Sequence, residues 1–164
     1  EFPGVVSIQI IYNLFRQRPS HLFFQEARQK NIAVIARVPL ASGLLSGKIS
    51  RETTFASDDH RNFNRHGEAF DVGETFAGVP FEVGLQAVEE VRKLVPEGAT
   101  MAAFALRWIL MSDAVTVVIP GARNAEQAKA NAAAASLAPL THEVMAASHE
   151  IYDRLIAPHV HQRW

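Results

Sequence analysis

The stretch Val115-Thr116-Val117-Val118-Ile119-Pro120-Gly121-Ala122-Arg123-Asn124-Ala125-Glu126-Gln127-Ala128-Lys129-Ala130-Asn131 decides how the rest of the chain is read. It opens on a β-branched run without polar alternation and passes through Pro120-Gly121 into an alanine-rich segment. A short run that is apolar throughout fits a parallel strand buried on both faces. Asn124 is a favoured helix-capping residue, and Ala125, Ala128, Ala132 and Ala135 follow it on small-residue positions. Such a helix is expected to lie close against a sheet. Two other runs share the strand character: Val5-Val6-Ser7-Ile8-Gln9-Ile10-Ile11 and Ile32-Ala33-Val34-Ile35-Ala36.

Helical patterns fill the intervals between these runs. Ser20 is placed to cap a helix over residues 21–30. Leu85, Val88, Val91 and Val95 recur at helical spacing until Pro96 and Gly98 end the segment. Thr100 is placed to cap the next helix, with Met101, Phe104, Ala105, Trp108 and Ile109 along one face. Thr141 opens a last helix over residues 141–157, with Val144, Ile151 and Leu155 on its buried stripe. Strands alternating with helices in this order define an α/β protein with a parallel sheet and right-handed crossovers. Residues 49–80 fit neither period and concentrate Asp58, Asp59, His60, Arg61, Asn62, Asn64, Arg65 and His66. A compact domain rarely keeps so long a loop unless it is a lid or binding loop; a structural or disordered excursion is the alternative.

Bulk composition narrows the classes. The chain has 164 residues, an apolar fraction of 48% and a net charge of -1. It therefore reads as one ordinary globular domain, with no basic excess for nucleic acid. No apolar run is long enough to span a bilayer as a helix. Cysteine is absent, which excludes disulfides, thiolate catalysis and Cys-bound metals and fits a reducing cytoplasm. The opening Glu1-Phe2-Pro3-Gly4 has no initiator Met and no leader pattern, so the expectation is a chain that begins partway through a longer protein.

In parallel α/β folds ligands bind past the carboxyl ends of the strands. The end of the third run is the most informative. Gly121 permits close backbone approach, and the following helix offers free N–H groups and the positive end of its dipole. Arg123 stands beside that start as a forked cation suited to phosphate. Gln127 and Asn131, at i and i+4, place two amides on one face. Together these groups suit a nucleotide's phosphate and base; a capped helix with a solvent-facing Arg is the bland alternative. The second run leads into Arg37-Val38-Pro39-Leu40-Ala41-Ser42-Gly43-Leu44-Leu45-Ser46-Gly47-Lys48, where Ser42, Gly43 and Lys48 could also hold phosphate, although the spacing is not that of a P-loop.

These segments resemble a known family. Residues 31–48, NIAVIARVPLASGLLSGK, are similar to the seventh strand and following loop of aldo-keto reductases. VVIPGARNAEQAKAN, from Val117, resembles that family's eighth strand and adenosine-phosphate loop, and SIQIIYNLF, from Ser7, its sixth strand. The resemblance implies the C-terminal part of a TIM-type (β/α)8 barrel, about strands six to eight. It also implies hydride transfer between a nicotinamide cofactor, NADP(H) before NAD(H), and a small carbonyl or alcohol substrate. By the same resemblance Gln9 would contact the nicotinamide amide. Val38, Pro39, Leu40, Ala41, Ser42 and Lys48 would run along the ribose and pyrophosphate, with Arg61 closing over them. Gly121, Arg123, Gln127 and Asn131 would surround the adenosine and its 2′-phosphate. Arg37 stands where many members stack an aromatic ring on the nicotinamide, and Ala130 where an acid commonly meets the adenine.

The family's catalytic Tyr, Asp, Lys and His come from the first half of the barrel, and nothing here matches those motifs. Tyr12 is expected to be a packed aromatic with a bonded hydroxyl, and His159 and His161 to lie at a frayed terminus rather than to hold a metal. The chain alone is therefore expected to be inactive. Three strands cannot close a barrel, so a missing N-terminal half, another copy of the chain or a rearranged packing should cover its open edges. A non-catalytic nucleotide-binding or regulatory module is the competing function.

Overall fold

The computed structural model describes residues 4–163. Among them lies one sheet of three parallel strands, β1 (Ser7–Ile11), β2 (Ala33–Arg37) and β3 (Val115–Val118), in spatial order β1-β2-β3. α1 (Phe23–Gln29) links β1 to β2. α2 (His60–Phe63), α3 (Phe81–Arg92) and α4 (Met101–Ile109) lie between β2 and β3. After β3 come α5 (Ala125–Ala133), α6 (His142–Ile151) and α7 (Ala157–Val160).

The sheet has two unlike faces. Pairing aligns Ile10 with Ala36 and Ala36 with Val118, and this row packs into the core. The next row, Gln9, Ile35 and Val117, points the other way, and Val117 is 43% exposed. Ile119, just past β3, is 46% exposed. The strands are therefore covered on one side only, where continuous apolar sequence predicts burial on both. The row that faces outward is the one a closed barrel would turn inward. A register shift between Val34 and Ile35 lets the Thr116 hydroxyl accept from the Val34 N–H at 3.1 Å.

The covered face meets α1 and α4, and Val88 and Val91 of α3 join Phe104, Trp108 and Ile109 of α4 in the core with Tyr12, Phe15 and Phe24. Trp108 donates its indole N–H to Ser148 Oγ at 2.7 Å, so α4 and α6 are joined without an orphaned polar group. Tyr12 packs edge-on to Phe24, with ring centroids 4.7 Å apart, and burial pushes its hydroxyl well above the usual range. The packed aromatic is as expected. The expected hydroxyl partner is not found among the described residues.

Local expectations differ from the structure in three further places. Ser20 does not cap α1; it ends a 3-10 turn (Arg18–Ser20) and donates to the Gln17 carbonyl at 2.7 Å. α5 buries none of its residues, so its alanines do not press on the sheet as their size suggests. The carboxyl-terminal segment is docked rather than frayed. A π turn (Tyr152–Ile156) widens the end of α6, Ile156 and Val160 are buried, and His161 Nδ1 lies 2.9 Å from the Tyr152 hydroxyl. No cluster of three potential metal-ligating side chains occurs among the described residues.

Candidate functional site

The backbone leaving β2 is forced into an unusual course. Val38, Ala41 and Ser42 have φ of 52°, 47° and 54°. A β-branched residue at positive φ costs about 1–3 kcal/mol and persists only when its surroundings hold it. Asn13 supplies that hold. It is fully buried past β1, donates Nδ2–H to the Val38 carbonyl at 2.8 Å and accepts from the Phe15 N–H at 2.7 Å. The turn then packs beneath α3, where a Cβ on Gly84 would come within 2.8 Å of Leu44 Cδ1. A side chain there would force Leu44 to shift.

Residues 49–80 return to this turn and lock onto it. The Arg37 guanidinium forks onto Glu74, Nη1 to Oε2 at 2.7 Å and Nη2 to Oε1 at 2.5 Å. This hydrogen bonding holds the Arg37 proton more tightly than usual. The Ser42 hydroxyl donates to the Glu74 carbonyl at 3.0 Å and accepts from the Phe76 N–H at 3.0 Å. Buried Arg16 donates to the Ala77 carbonyl at 3.2 Å. Buried Asn64 receives the N–H groups of Ala69 and Phe70, each at 2.8 Å, and folds the loop on itself. The long segment is thus an ordered lobe.

Arg61 lies in α2 and belongs to the same lobe. Asp59 receives its Nε–H at 2.9 Å and its Nη2–H at 2.5 Å, while the guanidinium lies 4.4 Å from the Phe55 ring centroid. The Arg61 hydrogen bonds hold the Asp59 carboxyl far below the usual carboxylate range. Arg61 Nη1 also reaches the Ser42 carbonyl at 3.4 Å.

The end of β3 is built differently. Asn124 caps α5 by accepting from the Gln127 N–H at 2.9 Å. Gln127 returns Oε1 to the Arg123 N–H at 2.8 Å, and Asn131 donates to the Gly121 carbonyl at 3.1 Å. The two amides shape the loop. They do not stand free beside it. Arg123 itself is exposed, and its side chain has no partner among the described residues. A Cβ on Gly121 would meet nothing within 4 Å, so nothing in the fold itself excludes a side chain there.

The two ends converge. A cleft of about 520 Å³ is lined by Val38, Pro39, Leu40, Ser42, Gly43, His60, Arg61, Glu74, Ile119, Gly121 and Arg123. Eight of the positions given a binding role in the sequence are in that lining: Val38, Pro39, Leu40, Ser42, Gly43, Arg61, Gly121 and Arg123. Others are not. Gln9 lies on the open face of β1, Ala41 is buried, Lys48 is exposed beyond the turn, and Gln127 and Asn131 brace the loop from behind. Arg37 adjoins the lining through Glu74. A larger cleft of about 650 Å³ runs between Arg51 and Glu89, but Arg51 there is paired to Glu82 at 2.8 Å. Another of about 550 Å³ lies beside Asp113, which is paired to Arg28 at 2.8 Å. The cleft joining β2 and β3 combines an unpartnered cation with open glycine backbone, the chemistry of an anion site.

Asn13 and Glu74 are the structural residues that sequence reasoning missed. A polar residue directly after an apolar strand was the only signal for Asn13. Glu74 had none, because its partner lies 37 positions away.

A parallel sheet with helices on one face and polar loops past its carboxyl ends is an open arc of a (β/α) barrel. The chain belongs to the aldo/keto reductase family, whose model matches residues 1–153. It is 31% identical to aldo-keto reductase YhdN of Bacillus subtilis over 126 residues, which is 76% of this chain and 35% of that protein. It is 32% identical to L-glyceraldehyde 3-phosphate reductase of Escherichia coli K12 over 73% of this chain and 34% of that one. The structure is similar to a glycerol dehydrogenase from Gluconobacter oxydans, with a TM-score of 0.71, 30% identity, and coverage of 96% of this chain and 44% of the other. The chain therefore spans less than half the length of these relatives and is a partial barrel. No helix among the described residues is long and apolar enough to cross a membrane.

Proposed function

We propose that this chain forms the sixth to eighth strands of a nicotinamide-dependent aldo-keto reductase and holds the phosphate-bearing part of NADP(H). One observation carries the reading: Arg123, without a side-chain partner, shares a cleft with the ordered turn at Ser42-Gly43 and with Arg61. The residues fit the group. Arg123 offers a free fork to a 2′-phosphate and Gly121 leaves room for close backbone approach, while Arg61, held by Asp59, would border the pyrophosphate as part of the wall. NAD(H) would leave Arg123 without its phosphate partner and is the weaker ligand in this proposal.

The cofactor, when bound, supplies hydride to a small carbonyl substrate. The residues of this chain bind and orient it, and the proton donor comes from an N-terminal half of the barrel. The open row Gln9, Ile35 and Val117 is the surface that this half would cover. On its own the chain binds cofactor and does not turn substrate over.

Fluorescence titration with NADPH and NADH tests the assignment. The wild-type chain should prefer NADPH, and Arg123→Ala should weaken NADPH by about tenfold or more, as loss of a charge-assisted contact of about 1.5–3 kcal/mol requires. Equal affinity for both cofactors in both proteins would remove Arg123 from the site.

A further inference from the structure

Glu74 is an acid lining a cleft assigned to an anionic ligand. An unbalanced carboxylate there would repel phosphate. Both of its oxygens instead receive the Arg37 fork, with the pair partly buried at 34% and 30% side-chain exposure. Arg61 is likewise matched, by Asp59. Among the Lys, Arg, Asp and Glu side chains gathered at the cleft, the formal charge left over is that of Arg123 alone. Charges that line one cleft and are partly buried are screened less by salt than exposed charges farther apart than a Debye length, about 8 Å at physiological salt. Changing one member of the Arg37–Glu74 pair therefore either doubles or abolishes the net charge an incoming phosphate meets.

We infer that Arg37 and Glu74 together are a specificity-determining pair that sets how strongly the cleft attracts an anion. Arg37 shields the ligand from Glu74, and Glu74 keeps Arg37 from adding a second free cation. The pair also bounds the cleft, because Glu74 carries the backbone carbonyl that receives the Ser42 hydroxyl. The inference rests on the cofactor assignment above, but it concerns the balance of charge rather than the identity of the phosphate ligand.

A charge cycle tests it, using NADPH fluorescence at low and physiological salt, with uncharged adenosine as the comparison ligand. Glu74→Gln should tighten NADPH about threefold to tenfold, and Arg37→Gln should weaken it about tenfold. The double variant Arg37→Gln/Glu74→Gln should return to within about threefold of wild type. All three differences should shrink at higher salt, and adenosine affinity should stay within twofold throughout. Weakening by Arg37→Gln that the double variant does not rescue would mean that Arg37 acts by stacking or packing, and would overturn the pair. Equal NADPH affinity in all four proteins would also overturn it while leaving an effect of Arg123→Ala, and hence the cofactor assignment, intact. Failure of the wild-type chain to bind NADPH would overturn both.

Discussion

The two strand ends that meet at the cleft contain similar polar residues and use them in opposite ways. Past β2, Ser42, Arg37 and Arg61 are all engaged by the chain itself, through Glu74, Phe76 and Asp59. Past β3, Gln127 and Asn131 set the loop, the Arg123 side chain has no partner among the described residues, and Gly121 has open space beside it. One end is a finished wall. The other leaves the Arg123 side chain without a partner among the described residues. Binding of a long anion, as proposed, would use both, since a rigid wall fixes the geometry and unengaged donors supply attraction.

That contrast can be broken first at the wall. Asn13→Ala should cost about 2–3 kcal/mol in chemical denaturation of the purified chain, because the Phe15 N–H and Val38 carbonyl would lose a buried partner beside a strained residue. A loss below about 0.5 kcal/mol would mean that the wall does not depend on Asn13. Ser42→Ala should cost about 1–2 kcal/mol by the same measurement, since it leaves the Phe76 N–H and Glu74 carbonyl unmatched.

The wall should also respond to acid. Asp59 has a folded pKa below its unfolded value of about 3.9. The stability it adds is therefore complete above that value and is lost as pH falls through the folded pKa. Melting curves from pH 6 downward should show wild type approaching Asp59→Asn below about pH 4. A constant gap between the two proteins down to pH 2 would contradict the assignment. The smallest effect on stability belongs to the open end. Gly121→Ala and Arg123→Ala should each change it by no more than about 0.5 kcal/mol, as surface substitutions do. Both should nevertheless weaken NADPH binding in the titration, and unchanged affinity would erase the distinction between the ends.

This division also explains what the sequence made legible. The three strands, the caps at Thr100, Asn124 and Thr141, and the place of Arg123 beside a helix start are local patterns, and local patterns survive folding. The wall is not local. Arg37 meets Glu74, and Asn13 meets Val38, across separations that no periodicity encodes. Residues 49–80 read as featureless because short turns and side-chain bonds from Asn64, Asp59 and Asp71 order them instead of a repeating backbone pattern. The alanines of α5 misled for another reason. Small side chains allow close packing without requiring it, and α5 stands beside a groove lined by Leu106, Leu110 and Val118. The sequence suggests a frayed terminus at His161 because its docking onto Tyr152 and His21 involves side chains distant from any helical stripe.

The most direct measurement of the account is the movement of backbone amide resonances on addition of NADPH. Convergence of the two ends on one ligand predicts that Leu40 to Gly43 and Gly121 to Ala125 shift together, with a single saturation curve. Shifts confined to the opposite end of the sheet, around Arg28 and Asp113, or separate saturation of the two loops, would contradict it.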